Sequence, residues 1–492
     1  MLGIDLVKII LKEYLILYHI TRYKKLGAAS TMTITQEKYV DEISDKFPPG
    51  IRTKNWFHLI WAIINPVDWL EFMQERYGDT FSFHGFGGFP EQVITSHPQA
   101  IQEIFMADSN LFTSGEGSQS LEPIVGMNSL LLQDGERHLQ KRKLLLPSFH
   151  GERMRAYGQT MSEIAEQVMS KLKVKEKFIA RPVMQEISLN IILRSVFGLN
   201  EGERYEEIRK ILSEMLDSFN NPLSVSFLFF KSLRVDLGSL TPWGNFLRKR
   251  EKLNQLLYQE IRLRRAQEAS LGEDILSLLL SVRDENGQGM SDEELRDELM
   301  TMLFAGHETT ASALAWALYW IHYVPEVRQK LLQELNSIDI PNTDPIEITK
   351  LPYLNAVCSE TLRISPIAFF TLGRLLRAPM RLMNYQIPQG IMLVPSIYLT
   401  HRRRDLYPEP NKFRPERFLE RQFSPYEYIP FGGGNRRCLG AAFAMFELKL
   451  VLATLLSQYS FTLLENRPLK PVRRGITFTA PGGVPLMLND KR

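Results

Sequence analysis

One cysteine in a glycine-rich loop flanked by arginines is the strongest chemical feature of this 492-residue chain. It is Cys438, within Phe431-Gly432-Gly433-Gly434-Asn435-Arg436-Arg437-Cys438-Leu439-Gly440, and a long apolar helical pattern begins immediately behind it. The glycines permit positive φ and close backbone approach. The amides and positive dipole end of the following helix favour an anionic sulfur. Such a thiolate is suited to hold a metal. The other cysteine, Cys358, sits in an apolar helical pattern and reads as a small buried hydrophobe. Zinc sites take three or four ligands, usually in close pairs, and the chain has neither CxxC nor HExxH. Nothing supports a disulfide between the two cysteines, and such low cysteine use suits a reducing cytosol. Solitary thiolate ligation is a haem-iron arrangement.

Further candidates lie upstream. Ala305-Gly306-His307-Glu308-Thr309-Thr310 sets an acid beside an alcohol, midway along a helical pattern from Ser291 to Val324. Ser291 with Glu294 is a capping-box signature, and Pro325 ends the run. A helix of that length spans roughly 50 Å, enough to cross a domain. A threonine inside it can donate back to a carbonyl one turn earlier and loosen the ladder. Glu360-Thr361-Leu362-Arg363 places opposite charges three residues apart on one helix face. By itself that spacing is common on solvated helices.

Taken together, these segments carry a resemblance. The loop reads F-x-x-G-x-R-x-C-x-G and resembles the haem-binding loop of the cytochromes P450, the haem-thiolate monooxygenases. Glu360 to Arg363 looks like that family's ExxR motif, and Phe413-Arg414-Pro415-Glu416-Arg417-Phe418 like its meander segment. Ala305 to Thr310 resembles its A-G-x-E-T pattern, and all stand in the family's order. The resemblance implies haem b as cofactor, with Cys438 the axial ligand donating electron density that favours O–O cleavage. Phe431 would shield the sulfur, Gly434 would shape the loop, and Arg436 would pair with a haem propionate. Asp134 to Arg142 resembles the family's W-x-x-x-R element, with Arg142 retained and His138 where tryptophan is frequent. Histidine can also donate to a carboxylate. Arg374 takes the place of another propionate-binding arginine, with Arg377 its nearby rival. Glu308 and Thr309 would relay protons to oxygen, while Ala305 and Gly306 would let a flat group approach the long helix. Arg417 would complete a Glu360–Arg363–Arg417 cluster. Removing one partner of such a buried cluster strands a charge, so the trio reads as architectural.

The implied activity is hydroxylation or epoxidation of an apolar small molecule, using O2 and two electrons. These would come ultimately from NAD(P)H through a separate ferredoxin, flavodoxin or reductase, since no flavin-domain segment follows the loop. Lys412, Arg414, Arg436, Arg437 and the run Arg402–Arg404 are expected on the face that receives the donor, where basic charge would steer an acidic protein. Segments corresponding to the family's pocket walls are apolar: Leu121–Leu132, Leu223–Phe230, Pro366–Leu372 and Ile476–Phe478. They suggest a fatty acid, alkane or terpenoid substrate. The C-terminal half is similar to bacterial, especially cyanobacterial, members. Alternatives are a haem-thiolate isomerase, dehydratase or peroxygenase, which often lack the acid–alcohol pair, and a non-catalytic haem or gas-binding protein, for which a proton relay has no use.

The elements that position these residues follow from the patterning. Hydrophobic residues make up 44% and charged residues 23% of the chain, ordinary usage for a soluble protein. A net charge of +3 gives nucleic-acid binding little support. Helical patterns over 152–173, 242–269 and 439–458 dominate, with short strand-like runs over 92–96, 392–395 and 461–464. The prediction is a mainly α fold with small peripheral sheets. Length arithmetic suggests three domains, but the motifs converge on one haem, so a single catalytic domain over 47–492 is expected. Residues 1–46 read as an N-terminal extension. Asp5, Lys8, Lys12 and Glu13 interrupt its apolar stretch, against a transmembrane helix or a secretory signal. An interfacial amphipathic helix making peripheral membrane contact through residues 1–26 fits; a partner-facing helix or packed structure stays open. Residues 27–35 read as a linker, and Met32 as an alternative start. The expected location is cytoplasmic, with membrane association as its variant.

Overall fold

The structure, a computed structural model, describes residues 47–491 apart from 52–55, 85–89, 150–152, 199–201, 219–226, 228–232, 267–273 and 286. The N-terminal extension, with its amphipathic segment and linker, lies outside the described residues. So does the expected pocket segment 223–230 except Phe227.

Seven helices frame the site: α1 (Pro98–Met106), α2 (Gly135–Leu145), α3 (Arg153–Ser170), α4 (Ala180–Phe197), α5 (Asp292–Tyr323), α6 (Pro352–Ile364) and α7 (Ala441–Gln458). The central helix α5 runs 32 residues, roughly 48 Å at 1.5 Å per residue. Its start is fixed as the sequence predicts. The Ser291 hydroxyl accepts from the Glu294 amide at 3.2 Å, and the Glu294 carboxylate accepts from the Ser291 amide at 3.1 Å. Helix α4 lies along α5, and α7 packs between α3 and α5. Helix α7 is apolar enough to cross a membrane by composition, yet most of its side chains lie in the main core. A helix wrapped by protein on all sides is apolar on all sides. It begins two residues later than its apolar pattern, because Leu439 and Gly440 belong to the cysteine loop.

The sheets are small. The largest orders its strands Gly50–Ile51, Thr80–Phe83, Gln92–Thr95, Met392–Pro395, Arg374–Leu376 and Phe112–Thr113. Arg374 pairs with Leu393 across an antiparallel ladder, and Leu393 with Val93 across a parallel one. That register presents Arg374 to the cysteine loop. A second sheet joins Tyr459–Leu463, Pro485–Lys491 and Lys177–Ile179. The hairpin Val472–Arg474/Thr477–Thr479 contributes Phe478, whose amide donates to the Ile367 carbonyl at 2.9 Å. The fold is mainly α with small sheets.

Candidate active site

The loop carrying Cys438 is built on glycines that nothing else can replace. Gly434 has φ +63°, and a Cβ there would lie 2.6 Å from the Phe105 carbonyl and 2.9 Å from Arg374 Nη2. A Cβ on Gly433 would lie 2.2 Å from the Phe105 ring. The loop therefore rests directly on α1. Within it the Cys438 amide donates to the Phe431 carbonyl at 2.9 Å, and Phe431 packs against the main core. Cys438 is exposed, whereas Cys358 is buried. Desolvation is nevertheless the largest influence on Cys438 and raises its thiol pKa, opposed by the Gly440 amide, Arg142 and Arg437. The sulfur is thus accessible although protein surrounds it closely. Cys358, pushed up to about 12 by burial, is inert core.

Basic groups crowd the sulfur and its loop. Arg436 donates to the Gln133 carbonyl at 2.6 Å and to Asp134 Oδ1 at 2.5 Å. Asp134 also accepts from the amides of Ser114 and Gly115 at 2.8 and 3.0 Å. Buried His138 is pulled down to about 3 by desolvation, then by Arg436 and Arg142. Arg142 feels the cysteine sulfur and Arg437. Arg374 is 2% exposed, donates to the Gly433 carbonyl at 2.9 Å and to the Ile104 carbonyl, and lies over the Phe105 ring at 4.9 Å. Its Nε is buried with no hydrogen-bonded partner, and desolvation followed by Arg436 lowers its pKa to about 10. Its rival Arg377 is exposed. Of the guanidinium groups of Arg142, Arg374 and Arg436, Arg436 is the one paired with a carboxylate, Asp134, among the described residues. That imbalance calls for an anionic guest, and the propionates of a haem beside a thiolate supply one. The residues present fit the group.

On α5, Ala305 is exposed although it lies mid-helix in the core, as a cavity wall is. Thr309, one turn on, donates to the Ala305 carbonyl at 2.7 Å and leaves its oxygen lone pairs available. Gly306 makes room for protein: a Cβ there would lie 2.7 Å from Ile192 Cδ1 of α4. Its small size serves helix packing in this structure, where the sequence suggested approach by a flat group. Glu308 accepts from Arg181, and from Gln185 Nε2 at 2.7 Å, both on α4. Neither partner was visible in the sequence.

Behind the loop, Glu360 and Arg363 are fully buried. Arg363 Nε and Nη2 donate to Glu360 at 2.6 and 2.8 Å, and Arg417 Nε donates to it at 3.1 Å. The Arg414 amide adds a bond at 2.9 Å, so the carboxylate is fully satisfied, as a buried charge requires.

The expected basic face is smaller than the sequence suggested. Arg402 lies over the Tyr398 ring at 4.0 Å and donates to the Ile364 carbonyl at 3.0 Å. Arg403 is tied to Asp79 and Asp405. Lys412 pairs with Glu409 and Arg414 with Glu420, and Arg436 turns inward. Arg404, Lys412 and Arg437 are exposed.

Fold and site together define a haem-thiolate protein. The comparisons agree over nearly the whole chain. Residues 48–485 match the Cytochrome P450 family. Over 446 residues the chain is 33% identical to a Mycobacterium tuberculosis protein provisionally named cytochrome P450 135B1, spanning 90% of this chain and 92% of that one. It is 31% identical over 457 residues to the same bacterium's protein provisionally named cytochrome P450 137, spanning 90% and 92%. The structure of retinoic acid-bound cyanobacterial CYP120A1 superposes with a TM-score of 0.79 at 27% identity, covering 91% of this chain and all of that one. The haem domain of cytochrome P450DA, 22% identical, shares the fold at a TM-score of 0.78, covering 90% of this chain and 97% of that one. The chain belongs to the cytochrome P450 family. It is a haem-thiolate monooxygenase that uses haem b and O2, with electrons from NAD(P)H delivered by partner proteins.

Proposed function

We propose that this monooxygenase hydroxylates or epoxidises an apolar molecule of the fatty acid, alkane or terpenoid class. The observation that carries this is the Pro366–Leu372 segment, which has no charged residue and includes exposed Ala368 beside half-buried Ile367. An apolar wall with small side chains accommodates an apolar guest. The retinoic acid held by CYP120A1, the 27% identical neighbour, is an isoprenoid of that kind. When bound, the haem supplies activation of O2 and transfer of one oxygen atom to a C–H or C=C bond.

The chain's residues take the remaining tasks. Cys438 holds the iron as a thiolate, and Arg142, Arg374, Arg436 and His138 hold the propionates. Phe431 screens the sulfur from water, and Ala305 keeps the wall above it low. Thr309, its hydroxyl proton committed to the Ala305 carbonyl, presents an acceptor oxygen that orders a water. Glu308 supplies protons to that water after leaving Arg181 and Gln185. A ferredoxin, flavodoxin or reductase docks near exposed Arg404 and Arg437, in a cytoplasmic setting, and residues 47–492 form the catalytic unit.

Two measurements test this. The reduced carbonyl spectrum should be thiolate-type and should be abolished by Cys438→Ser but kept by Cys358→Ser; survival in Cys438→Ser overturns the ligand assignment. Oxygenated products should form from fatty acids, alkanes or terpenoids with NAD(P)H and a reconstituted donor. Turnover confined to charged, polar compounds would overturn the substrate reading.

A further inference from the structure

His401 stands immediately before the arginine run, in the turn closing the short helix Ile397–Thr400, and is completely buried. It touches both halves of the architecture behind the thiolate. Its backbone carbonyl accepts from Arg363 Nη1 at 2.7 Å, which ties it to the ionic cluster. Its ring Nε2 accepts from the Ile429 amide at 2.9 Å. The Ile429 carbonyl in turn accepts from the Gly432 amide at 3.0 Å, just before the Phe431–Cys438 bond. One residue joins the Glu360–Arg363–Arg417 cluster to the root of the ligand loop.

The ring is suited to hold that amide still. An accepting Nε2 puts the proton of the neutral imidazole on Nδ1. Nδ1 is buried near the Leu362 and Arg363 carbonyls in the last turn of α6, short of hydrogen-bond geometry with either. Burial, then Arg363 and Arg402, hold the imidazole pKa far below its usual value, opposed by the backbone of Arg363 and Leu362. The ring lies near-parallel to Tyr428 at 5.3 Å and edge-on to Tyr407 at 6.2 Å. Both phenols are anchored, Tyr428 to the Ser359 carbonyl of α6 at 3.0 Å and Tyr407 to the Glu427 carbonyl at 2.9 Å.

We infer that His401 is a positioning residue for the thiolate ligand: its neutral imidazole fixes the Ile429 amide, and with it the Ile429–Cys438 loop, against the Glu360–Arg363–Arg417 cluster. The inference rests on Cys438 being the ligand. His401 does not touch the reacting atoms; it acts through the backbone that carries them.

The test uses the full-length, haem-loaded protein with two readouts. One is hydrogen–deuterium exchange of peptides covering 427–440, with α5 peptides as the internal control. The other is the rate at which the reduced carbonyl complex loses its thiolate-type band. His401→Leu removes the acceptor, whereas His401→Gln returns an amide oxygen near the position of Nε2. Loop exchange and band loss should both accelerate about tenfold in His401→Leu with α5 within about twofold, and His401→Gln should restore both to within about twofold of the parent. Unchanged loop exchange in His401→Leu, or equal acceleration in His401→Gln, overturns the inference. Should His401→Leu not fold, His401→Asn, too short to reach the amide, replaces it, and equal exchange in the Asn and Gln variants is then the overturning result. A parent protein lacking the thiolate-type band refutes the ligand assignment instead, while the exchange contrast still decides the role of His401.

Discussion

Glu308, the acid of the central helix, is held on one oxygen by Arg181 and on the other by Gln185, both from the first two turns of α4. Arg181 is 3% exposed and its Nε has no hydrogen-bonded partner, so Glu308 is the carboxylate that compensates it. The acid therefore has a structural task beside the chemical one proposed for it, and a double-mutant cycle separates them. Glu308→Gln strands the guanidinium and should destabilise the protein by about 3 kcal/mol. Glu308→Gln with Arg181→Met should regain most of that stability but not coupled turnover. Urea unfolding alongside product yield per electron pair checks both. Recovery of turnover in the double variant would mean that Glu308 carries no protons.

Thr309 gives the complementary prediction. Its hydroxyl donates to Ala305 one turn earlier, so its oxygen can only accept from the cavity side. Thr309→Ala removes the acceptor without disturbing packing. Product per NAD(P)H consumed should fall about tenfold and peroxide should rise to match. Thr309→Ser should retain most of the coupling. Peroxide assay beside product quantification reads the outcome, and unchanged coupling in Thr309→Ala would remove the threonine from the proton path.

The ionic cluster behind the loop yields a stability prediction. Glu360 accepts from Arg363, Arg417 and the Arg414 amide, with exposure of Glu360 and Arg363 at zero. Glu360→Gln leaves two buried guanidinium groups without a counter-charge, a loss of about 3–5 kcal/mol. The variant should unfold at markedly lower denaturant and retain little haem after gel filtration. Arg417→Lys, which keeps charge but loses the fork, should cost about 1–3 kcal/mol. A Glu360→Gln protein with parental unfolding midpoint would show the cluster to be dispensable.

How far the sequence exposes this site depends on whether a residue's role is local. The cysteine loop, the capping box at Ser291 and the i, i+3 pair Glu360–Arg363 are legible because spacing alone determines their geometry. Arg181 and Gln185 are not, since only the packing of α4 on α5 brings them to Glu308. Asp134 lies inside a recognisable segment, yet its side chain caps the amides of Ser114 and Gly115 instead of its own helix. The run at Arg402–Arg404 misleads for the opposite reason. Consecutive charges usually mean a solvated face, but the turn after Thr400 drives Arg402 onto Tyr398 and Arg403 onto Asp79, leaving Arg404 outside. His401 is hidden beside them, because nothing in its neighbours signals an acceptor for Ile429.

Glu447 of α7 supplies a prediction about pH. It is fully buried, neither carboxyl oxygen has a hydrogen-bonded partner among the described residues, and desolvation pushes its pKa up to about 8. The Ser188 hydroxyl of α4, short of hydrogen-bond geometry, pulls the other way. In the unfolded chain the group titrates near its ordinary value of 4.5. Between those two values the folded state binds a proton that the unfolded state has lost, so stability falls as pH rises from 4.5 towards 8. At pH 7 the accumulated loss is about 3 kcal/mol, at 1.36 kcal/mol per pH unit. Glu447→Gln keeps the shape of the protonated acid and cannot ionise. The variant should lie within about 1 kcal/mol of the parent at pH 5, and by pH 8 it should be the more stable protein by about 3–5 kcal/mol. Denaturant midpoints at the two pH values measure this directly, and parallel pH profiles for parent and variant would show that the carboxyl ionises at its ordinary value inside the fold.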